Sequence, residues 1–513
     1  MSRIHLDGEH LTLAQLYAVA LHGAEVELAL PALARMIASR AVVERLVASN
    51  ATVYGVNTGF GKMASVRISS EQIQQLQLNL VRSHACGMGA ALSEHETRAM
   101  LLLRANAIAK GFSGVRPVIA ETLCAMLNRG VHPVIPCQGS VGASGDLAPL
   151  AHLAQVAIGE GEAIYQGRRI PGDEAMRQAG IAPLTLEAKE GLALLNGTQG
   201  MLALLGLALG DAENFADTAD VAAALSLDAL RGSPAAFDER IAAVRPFAGH
   251  AVTAGHLARL NRGSAIRESH RSPIKDPRVQ DPYSLRCTPQ VHGAVRDALT
   301  QVRATVEVEL NSATDNPLVF VDGSPAAAPG AGEIISGGNF HGQPLAMAAD
   351  QMAVALATLA GISERRIEQM TNPQTSQLPA FLIRDAGVNS GFMLLQIAAA
   401  ALASEMKTQA APHSVDSIPT SANQEDYVSM GMGAARRLAP MLANLRNILA
   451  IELLCACQGL DLLSPLKTAP ESQKAYEIVR SISKMVEVDR SLAPDIESVG
   501  RAIAGGKFSA LFR

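Results

Sequence analysis

Gly139-Ser140-Val141-Gly142-Ala143-Ser144-Gly145-Asp146-Leu147-Ala148-Pro149 combines minimal side chains with three glycines, so its backbone can fold back in ways that bulkier residues forbid. If the chain bends tightly at its centre, the amide nitrogen of Gly145 reaches the carbonyl carbon of Ala143. Loss of water then closes a five-membered ring. Loss of a second water from Ser144 leaves an exocyclic methylidene conjugated to that ring, an electrophile made without metal or added cofactor. A glycine-rich turn that is only a turn has the same sequence. The remainder of the chain has to decide between the two.

At 513 residues and 48% hydrophobic content the chain buries a large core and exceeds one compact domain, so two or three regions are expected. Its net charge of −5 provides no basic footprint for nucleic acid or an anionic membrane, which leaves a small molecule as the expected partner. Aromatic residues make up 3% and tryptophan is absent, a composition that favours close-packed helices over sandwiches or barrels. The six cysteines are dispersed without a C-x-x-C pair, as expected of free thiols in a reducing cytosol. The start, Met1-Ser2-Arg3-Ile4-His5-Leu6-Asp7, lacks the apolar core of a signal peptide. Only Gly191 to Gly210 is long and uncharged enough to suggest a membrane span, and its Asn196, Thr198, Gln199 and glycines read instead as a buried loop entering a core helix.

Leu13, Leu16, Val19 and Ala20 fall at helical spacing, and Pro31 opens a later helix. Val53 to Gly61 is glycine-punctuated around Tyr54, either a site loop or a tyrosine packed at a turn. A helix from Ser70 to Val81 leads to His84, which is poised for a ligand or merely complements the helix C-terminus. Helices are expected over 94–110, 117–129 and from Leu150, and a small β-hairpin around Gln166-Gly167. Asn196 among apolar neighbours needs hydrogen-bond partners or a ligand. Beyond it the composition turns to long alanine-rich helices. One carries the stripe Leu345, Ala348, Met352, Leu356, Leu359 and Ile362, and another runs from Phe392 through Ala403.

Polar loops interrupt those helices. Val279 to Cys287 offers Gln280, Tyr283 and Arg286, the last able to clamp a carboxylate or to form a surface ion pair. Further loops run Asn311 to Pro317, Gly337 to Gly342 and Ser421 to Ser429. Neither a phosphate-binding glycine motif nor a metal-ligand spacing occurs, which places the chemistry in the chain itself.

Taken together, Gly142-Ala143-Ser144-Gly145-Asp146-Leu147, Tyr54 to Gly61, Leu195-Asn196-Gly197-Thr198, Tyr283 to Cys287, Gly338-Asn339-Phe340 and Asn423-Gln424-Glu425-Asp426 resemble the aromatic amino acid ammonia-lyase family, in order and over nearly the whole chain. The resemblance implies a mainly α fold: an elongated central helical bundle with an N-terminal mixed, loop-rich domain carrying the ring loop. The expected divisions are 1–205 for the N-terminal domain, 206–465 for the bundle and 466–513 for the C-terminal helices. It also implies that Ala143, Ser144 and Gly145 cyclise autocatalytically to 4-methylidene-imidazole-5-one, with no metal or nucleotide. Tyr54 matches the base that takes the β-proton. Arg286 matches the carboxylate clamp, and Asn196 and Tyr283 match residues around the ring and amine, with Gln280 and Phe340 in the same shell. His84 and Glu425 point to L-histidine, giving trans-urocanate.

Two departures leave room for phenylalanine, tyrosine or a modified histidine: Tyr427 where the histidine branch has histidine, and Thr375 where an apolar residue is usual. Ser272-Pro273-Ile274-Lys275 bears a faint likeness to the mobile loop of fumarase-type lyases but lacks its flanking Met and Asn. A purely structural bundle predicts an unmodified Ser144. Loops scattered from residue 54 to residue 425 predict sites shared between subunits, which the resemblance implies are those of a homotetramer, and the dispersed cysteines predict a cytoplasmic protein.

Overall fold

Helix ends in the N-terminal part are written into the sequence. Thr12 caps Leu13–His22 in a reciprocal box with Gln15, and the helix stops at Gly23, whose φ of 69° a residue with a Cβ rarely takes. Ser93 and Glu96 form the same box on Glu94–Ala109, which is buried without interruption from Thr97 to Ala109. Pro31 and Pro117 open Leu30–Ala48 and Pro117–Asn128, where the missing N–H costs nothing. The computed structural model describes residues 3–49, 55, 56, 58, 59, 68–272, 274–276, 278–324, 327, 328 and 330–512. Tyr54 lies outside the described residues.

The chain is mainly α and packs as two units. The first comprises Met1–Leu207, Arg303–Asp350 and Pro412–Arg436; the second comprises Ala208–Val302, Gln351–Ala411 and Arg437–Arg513. They interleave along the chain rather than following as three consecutive blocks, because segments 303–350 and 412–436 pack with the N-terminal residues.

The first unit is mixed. Short helices surround small sheets: Ile4–Leu6 parallel to Val26–Leu28, Met88–Ala91 antiparallel to Pro136–Gln138, and Leu318–Val321 antiparallel to Gly332–Ile335. The expected hairpin forms from Glu162–Tyr165 and Arg168–Pro171, and its two turn residues, Gln166 and Gly167, both have positive φ, which matches the right-handed twist of the strands. The helix expected from Leu150 begins at Leu147. Pro149 does not prevent this, because first-turn N–H groups have no helical acceptor. The apolar run 191–210 is broken at Asn196, between Glu190–Leu195 and Gln199–Ala229.

The second unit is built of long helices. Along Gln343–Thr371, whose residues up to Asp350 belong to the first unit, Leu345, Ala348, Met352, Leu356 and Leu359 are buried and Ile362 is half-buried. Phe392, Leu395, Ala399 and Met406 bury one face of the neighbouring stretch that includes Met393–Gln409. Among the described residues two helical stretches, Gln343–Thr371 and Gly431–Leu462, are long and apolar enough to cross a membrane, and 61% and 67% of their apolar windows are buried inside the protein, as in core helices.

Candidate active site

In the first unit the Gly139 to Asp146 loop links strand Pro136–Gln138 to helix Leu147–Ala157. Gly145 N–H donates to Gly142 O at 3.3 Å, closing a turn in which Ser144 has φ 55°. That position favours glycine, so a serine there is held under strain by its surroundings. Those surroundings can be named. Gly197 N–H donates to Ser144 O at 3.3 Å and Asp146 N–H to Gly197 O at 2.7 Å. A Cβ on Gly145 would lie 2.0 Å from Gly197 O, so these backbones touch as only glycine permits. On the other flank Met430 N–H donates to Val141 O at 2.9 Å, and a Cβ on Gly142 would meet Ser429 Oγ at 2.1 Å.

Asp146 anchors the loop from below. Fully buried, it accepts Met201 N–H at 2.7 Å and the Ser140 hydroxyl at 3.1 Å, at the start of helix Gln199–Ala229 where unpaired amides attract a carboxylate. Burial pushes it up to about 6, against those hydrogen bonds. Beneath Asn196 the buried Arg104 donates through Nη1 to Asn196 O and to Gln199 Oε1, both at 2.7 Å. Desolvation lowers that guanidinium to about 10, opposed by Asp315. Asp315 in turn accepts the buried Lys189 ammonium at 2.8 Å. Thr198 Oγ1 donates to Glu309 at 2.5 Å. The backbone around Asn196 is thus fixed while its side-chain Oδ1, buried, takes no partner among the described residues. An amide held this way is available to a ligand.

The same unit holds His84 at the last turn of Ile73–His84, where burial lowers its pKa against the pull of Glu425. Ser83 donates its hydroxyl to Leu80 O at 3.2 Å and lies 3.0 Å from His84 Nδ1. Glu425 accepts the Thr420 hydroxyl at 2.7 Å. Phe340 is half-buried, two residues before Gly342, whose position for a Cβ is closed by Met201 and lies 3.2 Å from Ser429 Oγ. Tyr427 stacks against His341 with centroids 6.2 Å apart, and its carbonyl lies 3.3 Å from His341 Nε2.

The second unit carries Gln280, Tyr283, Arg286 and Thr375. Gln280 is exposed and Tyr283 is 70% exposed, on the short helix Tyr283–Arg286. The Arg286 guanidinium lies 4.6 Å from the Tyr283 ring centroid. Below them Asp281 accepts Ser233 N–H at 2.6 Å, and Ser284 O accepts Thr288 Oγ1 at 3.0 Å and Arg366 Nη1 at 3.4 Å. The loop is pinned underneath and presents its upper side. Thr375 turns its hydroxyl onto Gln369 O at 2.8 Å and Asn372 O at 3.1 Å. Of the residues singled out by sequence, Ser144, Gly145 and Asn196 come together around Gly197, and His84 faces the field of Glu425. Asp146, Arg104, Lys189, Thr420 and Ser429 were not anticipated. Only Asp146, directly after the tripeptide, had a signal in its position. Among the described residues no group of three or more His, Cys, Asp or Glu could hold a metal ion.

The family model for aromatic amino acid lyases matches residues 11–481. A histidine ammonia-lyase of Koribacter versatilis is 55% identical over the whole of both chains. The crystal structure of histidine ammonia-lyase from Trypanosoma cruzi superposes with a TM-score of 0.91 at 43% identity, covering 99% of this chain and 95% of that one. A tyrosine aminomutase from Streptomyces globisporus reaches 0.93 at 39% identity, covering 100% and 98%. A strained Ala-Ser-Gly turn against an asparagine-glycine loop, on a mainly helical scaffold matched end to end, has one conclusion: the chain belongs to the aromatic amino acid lyase family.

Proposed function

We propose that this protein eliminates ammonia from L-histidine to give trans-urocanate, the opening step of histidine degradation, using a 4-methylidene-imidazole-5-one ring made from Ala143, Ser144 and Gly145. The observation that carries the reading is the Gly142 to Gly145 turn, with Ser144 at φ 55° and Gly145 pressed on Gly197. The residues fit such a ring: the turn places the attacking amide one residue beyond Ser144, and the glycines leave room for no side chain. Gly142, Gly197, Ser429 and Asp146 would hold it. The chemistry it supplies is an electrophilic carbon for the substrate amine, which makes ammonia a feasible leaving group.

The chain's own residues do the rest. Tyr54 takes the β-proton. A phenol titrates near pH 10, so that role needs nearby positive charge or donors. Asn196 offers its buried amide to the reacting amine, and Tyr283 matches a residue of the same group in the family. Arg286 pairs with the substrate carboxylate as a planar fork. Glu425 accepts the imidazole N–H, and neutral His84 lines the same end. A phenyl ring there would leave the Glu425 charge without its partner, at a cost of several kcal/mol if fully desolvated. The histidine ammonia-lyase relatives at 55% and 43% identity support this choice of side chain. The tyrosine aminomutase likeness favours the second reading, phenylalanine or tyrosine with the same chemistry.

A homotetramer with shared sites is supported by Tyr283 and Gln280 lying on an exposed face, and by exposed Met347 and Val354, one heptad apart on a single helix. Six free cysteines fit a cytoplasmic enzyme. The test is ultraviolet detection of product from purified enzyme given histidine, phenylalanine and tyrosine side by side. Growth of the urocanate band with histidine alone is expected. Turnover of phenylalanine or tyrosine but not histidine would sink the reading.

A further inference from the structure

Glu425 sits on an unusual piece of backbone. Thr420 N–H donates to Glu425 O at 2.9 Å and Glu425 N–H returns to Thr420 O at 3.3 Å, so the two residues pair across a tight reversal. Between them Ser421, Ala422 and Asn423 have φ of 50°, 51° and 64°. L-residues enter this left-handed region singly, because Cβ crowds the next carbonyl; three non-glycine residues in succession persist only where the surroundings over-determine them. The closing contact is between side chains: Thr420 Oγ1 donates to Glu425 Oε2 at 2.7 Å.

That bond has a directional consequence. A carboxylate swings easily about its last torsion and can present either oxygen. Thr420 occupies Oε2, and Oε1 takes no side-chain hydrogen bond among the described residues. The Ser83 hydroxyl lies 3.0 Å from Nδ1 of His84 and holds that ring in place. The Glu425 carboxylate is therefore oriented before substrate arrives, as preorganised recognition requires.

We propose that Thr420 is a specificity-determining positioning residue: by taking Oε2 of Glu425 it aims Oε1 at the imidazole N–H of the substrate, and the left-handed turn Ser421 to Asn423 keeps the two residues in register. The assignment rests on the reading of His84 and Glu425 as the imidazole end of the site. It predicts discrimination carried by a residue that never touches the substrate.

The test uses the full-length enzyme with Thr420→Val, which keeps the shape and removes the donor, Thr420→Ala, which cannot overpack, and Thr420→Ser, which keeps the hydroxyl. Histidine kcat and KM are measured together with competitive inhibition by trans-urocanate and by trans-cinnamate, which has the same acrylate on a ring without N–H. Thr420→Val and Thr420→Ala should lower kcat/KM for histidine about ten- to hundredfold, mainly through KM, the range of a lost hydrogen bond to a charged acceptor. Urocanate inhibition should weaken in parallel and cinnamate inhibition should stay within about threefold, while Thr420→Ser restores both. Equal losses for urocanate and cinnamate, no loss at all, or no rescue by serine would overturn the assignment. Wild-type enzyme that fails to turn over histidine sinks the functional reading and this assignment with it; wild-type turnover matched by Thr420→Val overturns this assignment alone.

Discussion

Replacing Glu452 by alanine should be among the most damaging single changes in the second unit, and its size follows from the contacts. Arg366 and Glu452 are both completely buried. Glu452 Oε1 takes Arg366 Nε at 2.5 Å and the Ser226 hydroxyl at 2.9 Å; Oε2 takes Arg366 Nη2 at 3.0 Å and the Ser363 hydroxyl at 2.5 Å. In the alanine variant the guanidinium keeps only neutral and distant acceptors, His292 Nε2 at 3.3 Å and Ser284 O at 3.4 Å. Breaking a buried pair from one side costs about 3–5 kcal/mol, because the surviving charge is left unpaired in low dielectric. Removing both members, as Arg366→Leu with Glu452→Leu, lifts that charge cost and leaves only the two hydroxyls and His292 short of a partner, about 1 kcal/mol each at most. With Arg366→Leu and Glu452→Leu as the single variants of the cycle, the double variant should therefore lose about 3 kcal/mol less than the sum of the two single losses. Urea unfolding at one fixed protein concentration measures all the variants. A Glu452→Ala loss below about 1 kcal/mol, or strict additivity, would refute the argument. Function should feel the loss too, since Ser284 lies between Tyr283 and Arg286.

Gly145→Ala places a methyl 2.0 Å from Gly197 O at φ 79°, so it should prevent ring formation and abolish turnover; an active Gly145→Ala enzyme would contradict the packing. Glu425→Gln should cut histidine kcat/KM by about ten- to hundredfold and narrow the gap to phenylalanine, since a neutral amide forfeits the charged hydrogen bond and no longer penalises a phenyl ring. Comparing kcat/KM for both amino acids checks this, and an unchanged ratio contradicts it. Burial raises Asp146 to about 6, above its ordinary value near 4, so its contribution to stability is fully present below about pH 4 and is lost as pH rises through about 6, a swing on the order of 3 kcal/mol. Asp146→Asn should flatten unfolding free energy against pH across that window; a variant with the wild-type slope would exclude Asp146 as its source.

Much of the scaffold was legible from periodicity and caps. Leu13, Leu16, Val19 and Ala20 are all buried on the helix their spacing predicts, and Gln166-Gly167 turns the hairpin. Hydrophobic patterning fails where charge is buried, because a lysine or arginine in a sequence reads as surface: Arg104, Lys189 and Arg366 are completely buried, yet nothing in their neighbourhoods distinguishes them from solvated residues. Glycine and proline punctuation likewise cannot reveal Ser421-Ala422-Asn423, a left-handed turn without glycine. Thr375 stands where an apolar residue is usual, and the fold spends its hydroxyl on Gln369 O and Asn372 O. The reactive turn was legible because small residues and glycine are what its contacts with Gly197 and Ser429 demand.

The central claim is that Ala143, Ser144 and Gly145 become an electrophile, and intact-mass measurement of the purified protein tests it most directly. Ring formation predicts a mass below that of the translated sequence by two water molecules, localised to the peptide spanning Gly139 to Pro149, and a deficit of at most one water in Ser144→Ala. A wild-type protein of unreduced mass that still releases ammonia from histidine would contradict it.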